Sequence, residues 1–261
     1  IQNLKKDLQT KNKALQDSLE RERKMVEDLR LNLSISLPHE LRTPLNVILG
    51  FAQFLIDPLK LPKPEKVVEY GNCIYKNGLR LNRLIENALL YANLKLLKYA
   101  PKERRTYQSE TSVDSKHFIA SVAQEKALAV QRKEDLRLEL VPANIWISAD
   151  NFEKILVELL DNAFKFSQAG TPVQLTTTVN GNLCILSITD QGRGMTKEQI
   201  ANIGAYMQFE RRKHEQQGTG LGLIIAYLLT QLEGGVLSID SKPEQGTTVS
   251  IVFNCETDER G

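Results

Sequence analysis

The stretch that decides the fold is SISLPHELRTPL, residues 34–45. It places a histidine and a glutamate side by side, with Pro38 immediately before them and Pro44 a little further on. A proline inside a helix removes a backbone hydrogen bond and costs about 3 kcal/mol. Either this stretch is not a helix, or the strain beside His39 and Glu40 serves a chemical purpose.

The sequence before this stretch has the periodicity of a long helix. A heptad of apolar residues begins at Ile1 and shifts by four positions after Leu15, as a stutter would. An uncapped helical pattern that continues to residue 56 is typical of a coiled coil, and the alternative is a single solvated helix. We predict a coiled coil over residues 1–30 and a helical hairpin over residues 31–99.

The first helix of that hairpin carries the histidine on its polar side. Apolar residues between 37 and 55 fall on one face, with His39 and Thr43 nearly opposite and Glu40 at the flank. His39 is therefore predicted to face solvent from an otherwise buried helix.

A proline-rich turn, DPLKLPKP at residues 57–64, separates this helix from a second one over residues 65–97. The second helix has two apolar stripes, one through Val67 and Leu81 and another through Ile85. One hairpin cannot bury both stripes by itself. We therefore predict a homodimer in which two hairpins form a four-helix bundle.

Residues 100–112 are polar and aperiodic, which predicts a linker. Beyond it, helical and alternating patterns predict an α+β domain over residues 113–256 and a short tail at 257–261, with a hairpin signal, VNGN, at 179–182. The predicted elements are helices at 114–132, 150–167 and 220–234 and strands at 136–140, 145–147, 183–189, 236–241 and 247–253.

Composition limits the functions that the chain can have. Lys and Arg number 34 against 32 Asp and Glu, so the net charge of +2 gives no overall attraction to nucleic acid or to an acidic membrane surface. Three scattered cysteines form neither a metal-ligand spacing nor a disulfide framework, which predicts a reducing, cytoplasmic location. No apolar run approaches a membrane span. The start at Ile1, without a signal peptide, predicts an excised fragment.

The helix ADNFEKILVELLDNAFKFS, residues 149–167, carries a polar stripe on a largely apolar surface. Glu158, Asn162 and Lys165 are spaced four and three apart and so share one face. They form either an ordinary solvated stripe or a metal and phosphate edge. In the second interpretation Asn162 and Glu158 serve Mg²⁺ and Lys165 faces phosphate charge.

Next comes ITDQGRGM, residues 188–195, in which a strand ends at Asp190. Its carboxylate can accept a hydrogen bond from an exocyclic amine, and Gly192 and Gly194 allow a flat base to approach the backbone. Taken alone, the segment is also a common strand-to-loop turn.

A second glycine-rich segment, QQGTGLGL at residues 216–223, precedes a predicted helix N-terminus. Free N–H groups and the helix dipole favour phosphate at such a position. The basic run that contains Arg211 lies between the two glycine-rich segments. It is either surface charge or a lid over a triphosphate.

The order of these motifs is more specific than any one of them. Asn162, the D-x-G-x-G turn at 190–194, Phe209 and G-T-G-L-G-L at 218–223 together resemble the N, G1, F and G2 boxes of sensor histidine kinases. HELRTPL at 39–45 is similar to the H box of that family, and Gly246 with Thr247 looks like its late glycine-threonine element. The resemblance covers roughly residues 30–255.

The resemblance implies a dimerisation and phosphoacceptor hairpin followed by an α/β-sandwich domain that binds ATP with Mg²⁺. By position, His39 resembles the phosphoryl acceptor and Glu40 the acid that takes its proton. Asn162 looks like the Mg²⁺ ligand, with Glu158 in support, and Asp190 looks like the adenine partner. The resemblance places further residues around the nucleotide, namely Lys165, Gly192, Gly194, Phe209, Arg211, Gly218, Thr219, Gly220, Leu221 and Gly222.

The family also implies a partner, the receiver domain of a response regulator, whose aspartate takes the phosphoryl group. A threonine placed like Thr43 resembles the residue that orients water when the kinase removes that phosphate. The alternative is that Thr43 bonds a backbone carbonyl one turn back and eases the break at Pro44.

Three positions depart from the family's pattern. Pro38 stands where the family more often has serine, Glu158 where it frequently has asparagine, and YMQF at 206–209 where it usually has F-x-P-F. None of these changes removes a group that the chemistry requires.

Two other functions fit part of the sequence. Gyrase-, chaperone- and mismatch-repair-like ATPases share the nucleotide-binding fold, but they need no acceptor histidine. A catalytically inactive dimeric scaffold would not need intact Asn162, Asp190 and GTGLGL. We therefore expect a protein-histidine kinase.

Overall fold

The computed structural model describes residues 37–56, 62–99, 111–201 and 221–256, together with a few positions between 11 and 23. The chain divides into two compact units, with the main boundary between Leu96 and Leu97. Apart from those few positions, the predicted coiled coil lies outside the described residues, as do the predicted tail and most of the predicted linker. Within the described ranges, no helix is long and apolar enough to cross a membrane.

Two helices of the first unit have described bounds, α1 (Leu37–Ile56) and α2 (Pro64–Tyr99). The HELRTPL segment is helical, and α1 continues through Pro44, which is buried. The hydroxyl of Thr43 donates a hydrogen bond to the carbonyl of His39 at 3.3 Å. A side-chain bond therefore reinforces the turn in which the proline removes a backbone bond.

Aromatic side chains pack the two helices together near their connection. The ring centres of Phe51 and Tyr70 are 5.2 Å apart, and those of Phe54 and Tyr70 are 5.8 Å apart. Such aromatic pairs contribute about 0.5–1.5 kcal/mol of stability in addition to that gained by burying their surface area. The predicted second helix is confirmed and extends slightly beyond the predicted range at both ends.

Within the described residues, the second unit contains seven strands and three helices whose bounds follow, and residues 197–201 are also helical. The elements in chain order are β1 (Ser112–Asp114), α3 (Ser115–Ala129), a short 3-10 turn (Lys133–Asp135), β2 (Leu136–Glu139), β3 (Asn144–Trp146), α4 (Ala149–Phe166), β4 (Val173–Asn180), β5 (Leu183–Asp190), α5 (Leu221–Leu232), β6 (Val236–Lys242) and β7 (Gly246–Glu256).

The strands form one sheet in the order β1-β3-β7-β5-β4-β2, and β6 also pairs with β7. Every pairing is antiparallel except that of β2 with β4. The predicted hairpin at 179–182 is confirmed, because Asn180 pairs with Leu183 across Gly181, whose φ is 59°. Glycine adopts such a positive φ without a steric penalty.

The core lies between the sheet and α3, α4 and α5. Phe152 of α4 is fully buried, stacks on Phe118 of α3 and meets Phe253 of β7 edge to face. The alternation of β5 places Cys184, Leu186 and Ile188 in the interior, as its period-2 sequence requires. The fold class is thus confirmed: a helical N-terminal region is followed by an α/β domain.

The boundaries of most elements in the second unit differ from the predictions by one to three residues. Asp114 caps α3, as predicted, and its carboxylate accepts a hydrogen bond from the backbone N–H of His117. The helix ends at Ala129 instead of Arg132, which leaves Arg132 available for a different contact. In addition, β1 begins at Ser112, the last residue of the predicted linker.

Candidate functional site

The candidate site is organised around α4. Its apolar residues are buried against the sheet, and its polar edge contains Glu158, Asn162 and Lys165. Along this edge the exposure increases towards the C-terminus: Glu158 is 3% exposed, Asn162 is half-buried and Lys165 is exposed. One end of the edge is therefore desolvated, whereas the other is open to a ligand.

An arginine that is distant in sequence holds the C-terminal end of α4. The guanidinium of Arg132 donates to the carbonyls of Phe164 at 2.8 Å, Gln168 at 2.6 Å and Thr171 at 3.1 Å. It also pairs with Asp135 at 2.6 Å, and this pairing lowers the pKa of the Asp135 carboxyl. The last carbonyls of a helix have no partner within it. Arg132 bonds one of them, that of Phe164, together with carbonyls just beyond the helix, and so fixes the C-terminal end of α4.

Asp190 is at the last position of β5 and is 8% exposed. Its Oδ1 accepts a hydrogen bond from the backbone N–H of Gly192 at 2.8 Å. Burial raises the pKa of the Asp190 carboxyl, and the N–H groups of Gly192 and Thr247 oppose that rise. One oxygen is thus oriented by the turn that follows, as suits a side chain that reads a ligand.

The glycines of the D-x-G-x-G turn make room for neighbouring backbone. A Cβ on Gly192 would lie 2.7 Å from Asp190 Oδ1 and would also collide with the carbonyl oxygen of Phe166. Gly194 has a φ of +63°, and a Cβ there would collide with the carbonyl oxygen of Lys242. These glycines are therefore required by the protein's own packing, whatever they contribute to a ligand.

The turn between β6 and β7 is bonded to this glycine turn. The N–H of Met195 donates to the Ser241 hydroxyl at 2.9 Å, and the N–H of Glu244 donates to the carbonyl of Arg193 at 2.8 Å. Gly246, with a φ of +89°, lies against the carbonyl oxygen of Asp190. The late glycine-threonine element therefore supports Asp190 from the next strand.

Phe166 connects the end of α4 to the same turn. Its carbonyl accepts a hydrogen bond from the N–H of Arg193 at 3.3 Å. The Arg193 guanidinium lies 4.5 Å from the ring centre, and the Lys165 ammonium lies 5.0 Å from it. Two cations are thus held beside the turn of Asp190, where they would favour an anionic ligand.

The N-terminus of α5 meets α4 at Glu158. A Cβ on Gly222 would collide with Glu158 Oε2 and would lie 3.3 Å from its Cδ. The other carboxylate oxygen pairs with the ammonium of Lys154 at 2.9 Å. The described parts of three motifs, separated by many residues in sequence, therefore converge on α4.

His39, Glu40 and Thr43 belong to the first unit, in which His39 and Thr43 are exposed and Glu40 is half-buried. The other predicted positions that lie outside the described residues are Phe209, Arg211, Gly218, Thr219 and Gly220.

The donors that are present fit a nucleotide with Mg²⁺. The half-buried amide of Asn162 offers an oxygen, and Mg²⁺ usually keeps several waters and binds through substrate phosphates. Over the described ranges, no three His, Cys, Asp or Glu side chains are grouped as a metal site. An ion that arrives with its phosphates needs only one or two protein ligands.

Two family models match the chain, one on each unit. The model described as "His Kinase A (phospho-acceptor) domain" matches residues 29–96, and that described as "Histidine kinase-, DNA gyrase B-, and HSP90-like ATPase" matches residues 148–257. The chain has the two-domain core of a sensor histidine kinase. The resemblance carried by the H, N, G1 and G2 boxes is thereby confirmed, and neither a clamp ATPase nor an inactive scaffold is favoured.

Curated sensor histidine kinases are similar over most of this chain. Histidine protein kinase DivJ of Caulobacter vibrioides is 29% identical over 85% of the chain and 37% of its own length. Sensor histidine kinase YvrG of Bacillus subtilis is 30% identical over 89% of the chain and 40% of its own length. The chain therefore spans less than half the length of these two relatives.

Solved structures of sensor histidine kinases share the fold. The Acinetobacter baumannii histidine kinase AdeS matches 84% of this chain and 98% of that chain, with a TM-score of 0.59 and 20% identity. Full-length ShkA, solved in complex with AMPPNP, matches 85% of this chain and 46% of that chain, with a TM-score of 0.55 and 23% identity.

Sequence reasoning missed two residues that hold the histidine kinase site together. Lys154 lies four residues before Glu158, and this i,i+4 spacing of opposite charges was a readable signal. No nearby sequence pattern predicts the role of Arg132, because the carbonyls that it binds lie 32 to 39 residues further along the chain.

Proposed function

We propose that this chain transfers the γ-phosphoryl group of ATP to His39 and then to an aspartate of a response regulator receiver domain. The observation that carries the proposal is the presence, in one chain, of an exposed histidine next to an acid and of a separate α/β domain with a desolvated Asp190. Neither feature alone requires the other, but phosphoryl transfer to histidine requires both.

The hairpin supplies the acceptor. A neutral imidazole nitrogen is nucleophilic near pH 7. When the His39 nitrogen attacks the γ-phosphorus, a P–N bond forms, the bond to the bridging oxygen breaks and ADP leaves with the electron pair. Glu40, the neighbouring half-buried residue, takes the imidazole proton. The Pro44 position weakens α1 close to this site, which would allow the helix to bend.

The second unit supplies the nucleotide site. Asp190 accepts the adenine amine, the open polar edge at Asn162 and Lys165 faces the phosphates, and Asn162 offers its oxygen to Mg²⁺. When held there, Mg²⁺ would supply neutralisation of phosphate charge, and the protein's own task would be to orient the nucleotide and to exclude water.

The functional protein is proposed to be a homodimer. Within the described hairpin, large apolar side chains remain exposed in a single copy, among them Leu49 at 57%, Phe54 at 56%, Val68 at 66% and Leu89 at 61%. Pairing two hairpins would bury these side chains in a four-helix bundle. We propose that this part of the protein works in the cytoplasm, where response regulators are found.

The test is incubation with γ-labelled ATP and Mg²⁺, followed by treatment of the labelled protein with acid or alkali. A histidine phosphoramidate is lost in acid and survives in alkali, whereas a serine phosphate survives in acid. His39→Gln should abolish the label and leave ATP binding within about twofold, because His39 and the nucleotide site lie in different units. His117→Gln is the matched control, since His117 is also exposed but belongs to α3. Acid-labile label that persists in His39→Gln would refute the assignment.

A further inference from the structure

Glu158 is a buried carboxylate in the middle of the nucleotide site. It is 3% exposed, and burying an isolated charge is very unfavourable unless the charge is paired. Its Oε1 accepts a hydrogen bond from Lys154 Nζ at 2.9 Å, and the Lys154 side chain is itself 25% exposed. The pair lies along one face of α4, four residues apart, so that helix geometry holds both partners.

The second oxygen of this carboxylate meets the first turn of α5. Gly222 is the second residue of that helix, and the side on which its Cβ would lie faces Glu158 Oε2. Its φ is not positive, so glycine is required at 222 by the close approach and not by backbone conformation. The first turn of a helix carries unsatisfied N–H groups and the positive end of the dipole, which favour a neighbouring carboxylate.

We infer that Lys154 and Glu158 are positioning residues, which hold the N-terminus of α5 against α4 and thereby set where the phosphate-binding N–H groups of that helix lie. This inference rests on the proposed function, because it assigns α5 to the phosphates. It also assigns Glu158 a role other than that of Mg²⁺ ligand. Lys154 acts through Glu158 and does not touch the nucleotide.

The arrangement makes a distinct prediction for metal dependence. A metal ligand affects nucleotide binding only when Mg²⁺ is present, whereas a residue that places α5 affects binding with or without it. A residue that only stabilises the fold changes the melting temperature but leaves the affinity of the folded protein unaltered. Affinity measured with and without Mg²⁺ therefore separates the three roles.

The experiment measures the Kd of the non-hydrolysable ATP analogue AMPPNP for the whole chain, in Mg²⁺ and in EDTA, well below the melting temperature. Lys154→Met should raise Kd by about tenfold or more in both conditions, because it removes a cation that pairs with the buried carboxylate. The matched control is Lys126→Met, which removes a lysine that is 23% exposed and pairs with Asp161 of the same helix at 2.8 Å. Lys126→Met should leave Kd within twofold.

A double substitution provides the rescue. Glu158→Gln removes the charge and keeps the shape, so Lys154→Met with Glu158→Gln should bind more tightly than Lys154→Met alone. If Lys154→Met does not fold, Gly222→Ala takes its place, because a methyl group there displaces the carboxylate directly. It should raise Kd similarly in both conditions.

Each contrary result has a separate meaning. An unchanged Kd in Lys154→Met, or in Gly222→Ala where that variant is used, would overturn the inference, and so would a loss confined to Mg²⁺, which would make Glu158 a metal ligand. A failure of the double substitution to improve on Lys154→Met would also overturn it. If the unsubstituted chain does not bind AMPPNP, the proposed function itself fails, and this inference fails with it.

Discussion

Asp190→Asn tests whether this side chain recognises adenine in the proposed nucleotide site. The substitution preserves the shape of the side chain but replaces one hydrogen-bond acceptor, a carboxylate oxygen, by a donor, an amide NH₂. Oδ1 of Asp190 accepts the N–H of Gly192 at 2.8 Å. In the variant, the amide oxygen is expected to keep that bond, which turns the amide NH₂ towards the incoming adenine amine. Two donors then face each other at a site that is 8% exposed.

The magnitude follows from the missing bond. A hydrogen bond to a charged group contributes about 1.5–3 kcal/mol, so ATP affinity should fall roughly 10- to 100-fold. The variant should also lose selectivity, since inosine triphosphate has a carbonyl in place of the amine. We expect the unsubstituted chain to prefer ATP and Asp190→Asn to bind the two nucleotides about equally.

The loss of affinity should occur without a loss of stability. Burial raises the pKa of Asp190, so the folded chain binds more protons than the unfolded chain between the ordinary pKa and the raised one. Its contribution to the free energy of unfolding therefore falls as pH rises through that interval, and ionised Asp190 is unfavourable to folding at pH 7. Asp190→Asn removes the buried carboxylate and with it this unfavourable contribution to folding. The melting temperature of the variant at pH 7 should therefore be equal to or higher than that of the unsubstituted chain.

Calorimetric titration with ATP and with inosine triphosphate is the assay, together with thermal unfolding at pH 5 and pH 7. Asp240→Asn is the control, because Asp240 is an exposed carboxylate on β6, which pairs with β7 and not with the strand of Asp190. Asp190 would not be the adenine partner if Asp190→Asn kept ATP affinity within twofold together with its preference for ATP.

Three further substitutions address the other parts of the molecule. Asn162→Ala should remove Mg²⁺-dependent ATP binding while the dimer persists in sedimentation, because alanine has no oxygen ligand; wild-type affinity in calorimetry would contradict this. Thr43→Ala should spare autophosphorylation and slow the removal of phosphate from a response regulator by about 10- to 100-fold if its hydroxyl positions water. Loss of both activities would instead favour the bond to the His39 carbonyl as its main role. Arg132→Met should lower the midpoint of urea unfolding, since it removes the cation that pairs with Asp135 and bonds the carbonyls at the end of α4. An unchanged midpoint would show that the helix end needs no such support.

Much of this molecule could be predicted from local sequence, because local physics decides it. The helical hairpin, the cap at Asp114 and the VNGN hairpin each depend on residues within a few positions of one another. The exposure of His39 also follows from helix periodicity alone, since the apolar face of α1 fixes which side remains polar. Motif order was enough to indicate the family, because each motif is a short run of fixed chemistry.

What only the tertiary structure decided is how distant segments meet. Arg132 lies beyond α3 and bonds carbonyls at the end of α4, more than 30 residues later in the chain. No local sequence pattern could predict this contact. Gly194 appeared as a ligand glycine, but it is also required by its close approach to the backbone of Lys242, which is far away in sequence. Glu158 appeared as part of a polar stripe that was either solvated or a metal and phosphate edge, yet it is buried, with Gly222 of α5 lying against its carboxylate. Side-chain spacing determines which residues share a face of one helix, whereas burial and close approach depend on which other elements the fold brings against that face.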